Sequence, residues 1–422
     1  MRAGIKHLLL FTVLALMLGC KTRTTYTVGK SASEILGNPD YLAVSYGGYR
    51  SISRDIQPTQ EEIKEDLRIL DAMGVHMIRT YNVHLPQSTN ILKAIRSLKA
   101  ENPDFEMYVM LGAWIKCKNA NTSEPDHNTG DEAENAMEIN RAAALAAAYP
   151  DIVKIIAVGN EAMVKWAASY YVQPDEILKW VNFLQNLKDD GKLASNLWIT
   201  SSDNFASWGG GGDEYHVPAL TQLINAVDYI SMHTYPMHDT HYNPEEFWIL
   251  SEAEASKPDS VQIKLLMQKS VAFAKQQYES VVTYMKSLGV NKPVHIGETG
   301  WASESNGFFG PDGTRAVDEY KQGLYYKGLR EWTNKNGISC FYFEAFDEIW
   351  KDSQNPGGSE NHFGLFTIEG KVKYALWHLV DEGVFDGLSR NGNPVTKTWN
   401  GDKKALMKTV LAPDFSEKET HK

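Results

Sequence analysis

Cysteine is scarce in this chain, with three in 422 residues. Cys20 lies just behind an apolar run near the N-terminus, which leaves Cys117 and Cys340 for the body. One falls in a predicted loop and the other in a predicted strand. Two cysteines so placed make no disulfide framework, and both are expected as free thiols. Long apolar runs are equally scarce. The run Leu8–Leu18 is too short to span a bilayer. No basic patch with interleaved aromatics occurs, and the formal net charge is −11, which argues against nucleic acid as a partner. No Gly-x-Gly-x-x-Gly follows the first predicted strand, so a dinucleotide fold is not indicated. The run Gly209-Gly210-Gly211-Gly212 lacks the Lys-Ser/Thr of a phosphate loop. It reads as a flexible loop and a candidate lid. His233, His238 and His241 are not at helical ligand spacing, so neither a metal nor a cofactor is expected.

What is present is a large core and many rings. The chain is 43% hydrophobic and 23% charged, which suits a globular protein. It carries 11 Trp, 20 Tyr and 15 Phe, and aromatic faces pack well on the C–H faces of sugars. The N-terminus reads as a targeting segment. Arg2 and Lys6 precede the run Leu8–Leu18, and a polar stretch follows Cys20. Leu16-Met17-Leu18-Gly19-Cys20 resembles a bacterial lipobox. That resemblance implies a lipoprotein signal peptide over 1–19, lipidation of Cys20, a tether over 20–38, and a place in the cell envelope. The membrane is then a partner through the lipid anchor.

From residue 39 the pattern alternates short apolar runs with amphipathic segments. Strands are expected at Leu42–Tyr46, Val75–Tyr81, Phe105–Leu111, Ile152–Val158, Leu197–Ser201, Val227–His233, a run from Val294, and Ile338–Phe343. Helices separate them. One is opened by the capping-box spacing Thr59-Gln60-Glu61-Glu62, and the longest is expected over about 261–288. Strands alternating with helical crossovers argue for a parallel sheet, and eight units predict a single (β/α)8 barrel over 39–390. Residues 391–422 read as a surface extension and tail. A monomer is expected.

Barrel active sites lie at the carboxyl ends of the strands. The fourth strand delivers Asn160 and Glu161, and the seventh delivers Glu298. The second delivers Arg79 and Tyr81, the sixth His233 and Tyr235, and the eighth Glu344, Glu348, Trp350 and Lys351. Trp114, Trp166, Trp208, Trp301 and Trp350 follow strands three, four, five, seven and eight. An acidic cleft rimmed with indoles suits neutral sugars better than phosphates. Two carboxylates on facing strand ends suit glycoside hydrolysis, with about 5–5.5 Å between them in a retaining enzyme.

Val158-Gly159-Asn160-Glu161 and Glu298-Thr299-Gly300-Trp301 resemble the two signatures of glycoside hydrolase family 17, the β-1,3-glucanases and related glucanosyltransferases. The similarity extends to Ser45-Tyr46-Gly47, Ile78-Arg79-Thr80-Tyr81, Phe343–Lys351, Gly358-Ser359-Glu360 and Phe363-Gly364-Leu365-Phe366. The resemblance implies a retaining endo-β-1,3-glucanase acting on laminarin-type glucans. In it Glu161 is the general acid/base and Glu298 the nucleophile. Glu348, Lys351 and Glu360 form a polar network, with Lys351 keeping Glu298 ionised. Asn160 holds a sugar hydroxyl and Tyr235 orients Glu298. Arg79, Tyr81, Trp114, Trp301 and Trp350 complete the expected sugar contacts, with Trp301 a platform. The chain departs from the plant branch at Ala302-Ser303, where Pro-Ser is usual, and in the bulk of its sixth helix. Two alternatives stay open: a glucanosyltransferase using the same covalent intermediate, and a surface glycan-binding lipoprotein without catalysis.

Overall fold

The computed structural model describes residues 29–413. The predicted leader and Cys20 lie outside them. Eight strands close a barrel: Leu42–Ser45, Val75–Arg79, Tyr108–Ala113, Val153–Asn160, Trp198–Asn204, Ile230–His233, Val294–Gly300 and Cys340–Phe343. Every neighbouring pair is parallel. The first strand pairs with the second and also with the eighth, Ala43 opposite Phe341, which leaves no open edge.

Local signals explain the elements. Thr59 and Glu62 form the capping box reciprocally, through Glu62 N–H to the Thr59 hydroxyl (3.2 Å) and Thr59 N–H to the Glu62 carboxylate (2.7 Å). The helix Gln60–Ala72 then buries Ile63, Leu67 and Leu70 at helical spacing. The longest helix runs Asp259–Ser287. Cys117 and Cys340 are buried free thiols. The third and fifth strands extend two and three residues further than expected, to Ala113 and Asn204.

The barrel interior is divided in two. Its lower half is apolar, with Ala43, Met77, Tyr108, Met110, Ile155, Ala157, Tyr229 and Phe341 in one cluster. Its upper half is polar, with Arg79, Ser202, Ser231, His233 and Glu298 all buried. A short helix, Ala32–Ile35, seals the lower end with Ala32, Ile35, Leu36 and Tyr41. This corrects the expected tether: folded chain begins before residue 38. The Ser31 N–H and hydroxyl both donate to the Glu34 carboxylate and fix that helix (2.8 and 2.7 Å).

The C-terminal segment is likewise more than a tail. Asn391 N–H donates to Glu65 (3.1 Å), Trp399 donates to Glu319 (2.8 Å), and Leu406 is fully buried. Lys321 reaches the Leu411 carbonyl (2.8 Å). Residues 391–413 therefore brace the outside of the barrel.

Candidate active site

Glu298 stands inside the seventh strand, all seven residues of which are buried. Gly297 precedes it because nothing larger fits. A Cβ there would lie 2.0 Å from the Ser231 hydroxyl and 2.5 Å from that of Ser202. The Arg79 guanidinium donates to Glu298 Oε2 (2.6 Å) and to the Gly297 carbonyl (2.7 Å). Tyr81 donates to the same Oε2 (2.8 Å), and Tyr235 donates to Oε1 (2.6 Å). Burial pushes this carboxyl up, but the Arg79 charge and the two phenols outweigh it and hold Glu298 below the usual carboxylate range. It is a buried, ionised and firmly oriented carboxylate.

Glu161 follows the fourth strand with its backbone in the left-handed region, φ 47°. A non-glycine residue there costs about 1–2 kcal/mol. Two bonds to the fifth strand hold the turn: Glu161 N–H to the Ser202 carbonyl (3.0 Å) and Met163 N–H to Asp203 Oδ2 (2.7 Å). The side chain is 14% exposed, and Oε1 lies 3.1 Å from His233 Nδ1. Burial first, and the neighbouring Glu298 charge second, push its pKa up to about 8. At neutral pH one carboxyl is therefore a carboxylate and the other an acid.

Both line a cleft of 1120 Å³ together with Tyr235 and Glu360. Asn160 is not among the residues lining it, and its Oδ1 accepts from Arg79. Arg79 and Tyr81, expected as sugar contacts, are bound to Glu298 instead and are not among the residues lining the cleft. Trp114 packs on Tyr170, with ring centres 5.0 Å apart, beside the cleft and outside its lining.

Several expectations are overturned. Trp301 is 0% exposed, donates its indole N–H to the Ala316 carbonyl (2.9 Å) and packs against Tyr325. It is core and no platform for sugar. Lys351 binds Glu344 (2.6 Å) and stands 3.5 Å from Glu348, so Arg79 holds Glu298 ionised in its place. Glu348 is tied to the Tyr49 N–H (3.1 Å) and the Trp350 indole (3.0 Å), away from the cleft lining. Trp350 is further capped by Arg54, 4.3 Å from the ring centre. The glycine loop is no free lid. Trp208 is buried and bonded to the Ser231 carbonyl (3.0 Å), and Gly209, with φ 88°, abuts the Tyr284 ring.

Further groups line the cleft, some of them without a role assigned from the sequence. Phe343 and Phe363 meet Tyr235 edge-on and line the cleft. Their signal was the strand-end position of Phe343. Trp166, expected at the rim, lines it too, and so does Tyr242, which the sequence did not single out; they are 63% and 64% exposed. Phe273, Gln276 and Gln277 of the longest helix form a wall that no short motif marks.

A parallel barrel presenting an ionised and a protonated carboxyl across one aromatic-lined cleft defines the glycoside hydrolase class. The BtgE/BtgC glycoside hydrolase domain model matches residues 43–364, and the chain belongs to that family. An endo-laminarinase from Formosa Hel1_33_131 is similar in structure, with TM-score 0.90 and 60% identity, covering 93% of this chain and all of that one. A glucan 1,3-β-glucosidase of Arthroderma benhamiae is 24% identical over 326 residues, 75% of this chain and 84% of that protein. The match to btgC of Aspergillus niger, named for glucan endo-1,3-β-glucosidase, is 23% identical over 82% of this chain and only 43% of that protein. This chain thus spans less than half of that relative. A family 17 β-1,3-glucanosyltransferase from Rhizomucor miehei, 18% identical with TM-score 0.54 over 80% of this chain and 96% of that one, shares the fold.

Proposed function

We infer that this protein is a retaining endo-β-1,3-glucanase cutting laminarin-type glucans. The observation that carries the mechanism is the placement of two carboxyls in one cleft, Glu298 held by Arg79, Tyr81 and Tyr235 and Glu161 beside His233. Glu298 attacks the anomeric carbon while Glu161 gives its proton to the departing glycosidic oxygen. The bond from carbon to Glu298 forms as the bond to the leaving chain breaks. Glu161, now a carboxylate, takes a proton from water, whose oxygen displaces Glu298. Asn160 donates to a hydroxyl of the sugar between them, and Glu360 meets the sugar from the rim. The substrate class is supported by the laminarinase at 60% identity. Activity of Glu298→Ala on laminarin tests this, together with the sizes of the products over time. The variant should be inactive, and the wild type should give an early ladder of intermediate oligosaccharides. Full activity in the variant, or products longer than the substrate, contradicts it. We also propose that Cys20 is lipidated and holds the enzyme in the cell envelope of a bacterium. Cys20→Ser should then move the protein from the membrane to the soluble fraction.

A further inference from the structure

His233 is wholly buried at the end of the sixth strand, beside Glu161. Nδ1 lies 3.1 Å from Glu161 Oε1, and Nε2 lies 3.2 Å from Arg79 Nη1 and 2.8 Å from the Ser202 hydroxyl. Arg79 Nη1 already donates to Gly297 and Glu298 and meets Nε2 only as a longer, shared contact, but its positive charge beside that nitrogen disfavours an N–H there and leaves Nε2 as the acceptor. Burial pushes the ring's pKa down to about 4, so it holds a single proton at neutral pH. That proton is on Nδ1 and is donated to Glu161 Oε1. Glu161 Oε2 has no hydrogen bond from another side chain or backbone group among the described residues. The transferable proton of Glu161 therefore sits on Oε2.

We propose that His233 is a positioning residue for Glu161, fixing which of its oxygens carries the proton and gripping the other once that proton has left. The inference rests on Glu161 being the acid/base. The bond from Nδ1–H strengthens when Glu161 becomes a carboxylate, because a charge-assisted bond is stronger than a neutral one. Its largest effect therefore falls on the second step, when Glu161 is a base. The groups facing this pair are Arg79 from the second strand, Asp203 from the fifth, and Tyr235 and Glu298 from the sixth and seventh. Tyr170 faces it from the loop after the fourth strand, and Glu360 from beyond the eighth.

Two substitutions separate the ring's nitrogens. His233→Asn places an amide near the Nδ1 position and keeps a donor to Glu161. His233→Gln places it near Nε2 and loses that donor. An aryl β-laminaribioside with a good leaving group makes the second step limiting. The expected result for His233→Gln is a fall of about tenfold or more in kcat. KM should fall with it, kcat/KM should change little, and the basic limb of the kcat/KM profile on laminarin should move to higher pH. His233→Asn should restore most of the kcat. Equal behaviour of the two variants, or an unmoved basic limb, overturns the proposal. Glu161→Gln on the same substrates separates the two failures: unimpaired turnover there sinks the acid/base assignment itself. The wild-type protein supplies a further check that does not depend on variants folding. Nitrogen-15 NMR of His233 should show the Nδ1–H tautomer, and an Nε2–H tautomer overturns the proposal.

Discussion

Glu161 and Glu298 are both acids at the mouth of the same barrel, yet they hold opposite charge states. Burial raises both. The difference lies in their partners. Glu298 receives a guanidinium and two phenols, whereas Glu161 receives one neutral imidazole and faces the charge of Glu298. Role here follows from neighbours contributed by other strands and not from the acid's own motif. Arg79, at the end of the second strand, sets the asymmetry.

The strongest way to break the comparison is to delete one side of it. Glu298→Ala should lose about 10⁴-fold or more in kcat on laminarin, because no other group takes over the covalent bond. Glu161→Gln should lose about 10²–10⁴-fold on laminarin and far less kcat/KM on an aryl glycoside whose leaving group needs no proton. The pH profile sharpens the contrast. Wild-type kcat/KM should fall as pH rises through about 8, where Glu161 gives up its proton, and that limb should vanish in Glu161→Gln. It should fall at the acid end only below the usual carboxylate range, where Glu298 gains one. Arg79→Met should leave Glu298 buried without its counter-charge. The acid limb should then move up in pH, and unfolding by denaturant should show a loss of about 3 kcal/mol. The smallest effect should come from Trp301→Phe. It should cost about 1 kcal/mol of stability for the lost indole bond and leave KM for laminarin unchanged.

The barrel was legible because each strand is a short apolar run bounded by helix signals. The paired acids were legible because both runs end in a carboxylate. The plug helix was missed although its capping box, Ser31-Ala32-Ser33-Glu34, was in view; four helical residues carry too little periodicity to stand out. Trp301 was misread because a tryptophan after a strand-end acid looks poised for sugar. The seventh strand instead runs on to Gly300, and the next residue turns under the helix Pro236–Tyr242, where Ala302 N–H meets Met237. Lys351 was paired with the wrong acid because the sequence does not say which of Glu298, Glu344 and Glu348 a side chain reaches. The spacing of His233, His238 and His241 carries no metal signature, and nothing local in the sequence marks His233 for another task. Its task depends on Arg79, 154 residues away, and no local pattern carries that.

The measurement that tests the central claim most directly is the site of covalent capture by a slow-turnover substrate. A 2-deoxy-2-fluoro laminaribioside with a good leaving group, followed by peptide mass spectrometry, should place one glycosyl ester on Glu298 in the wild type. An ester on Glu161, or inactivation with no ester on either acid, would contradict the division of labour between the two.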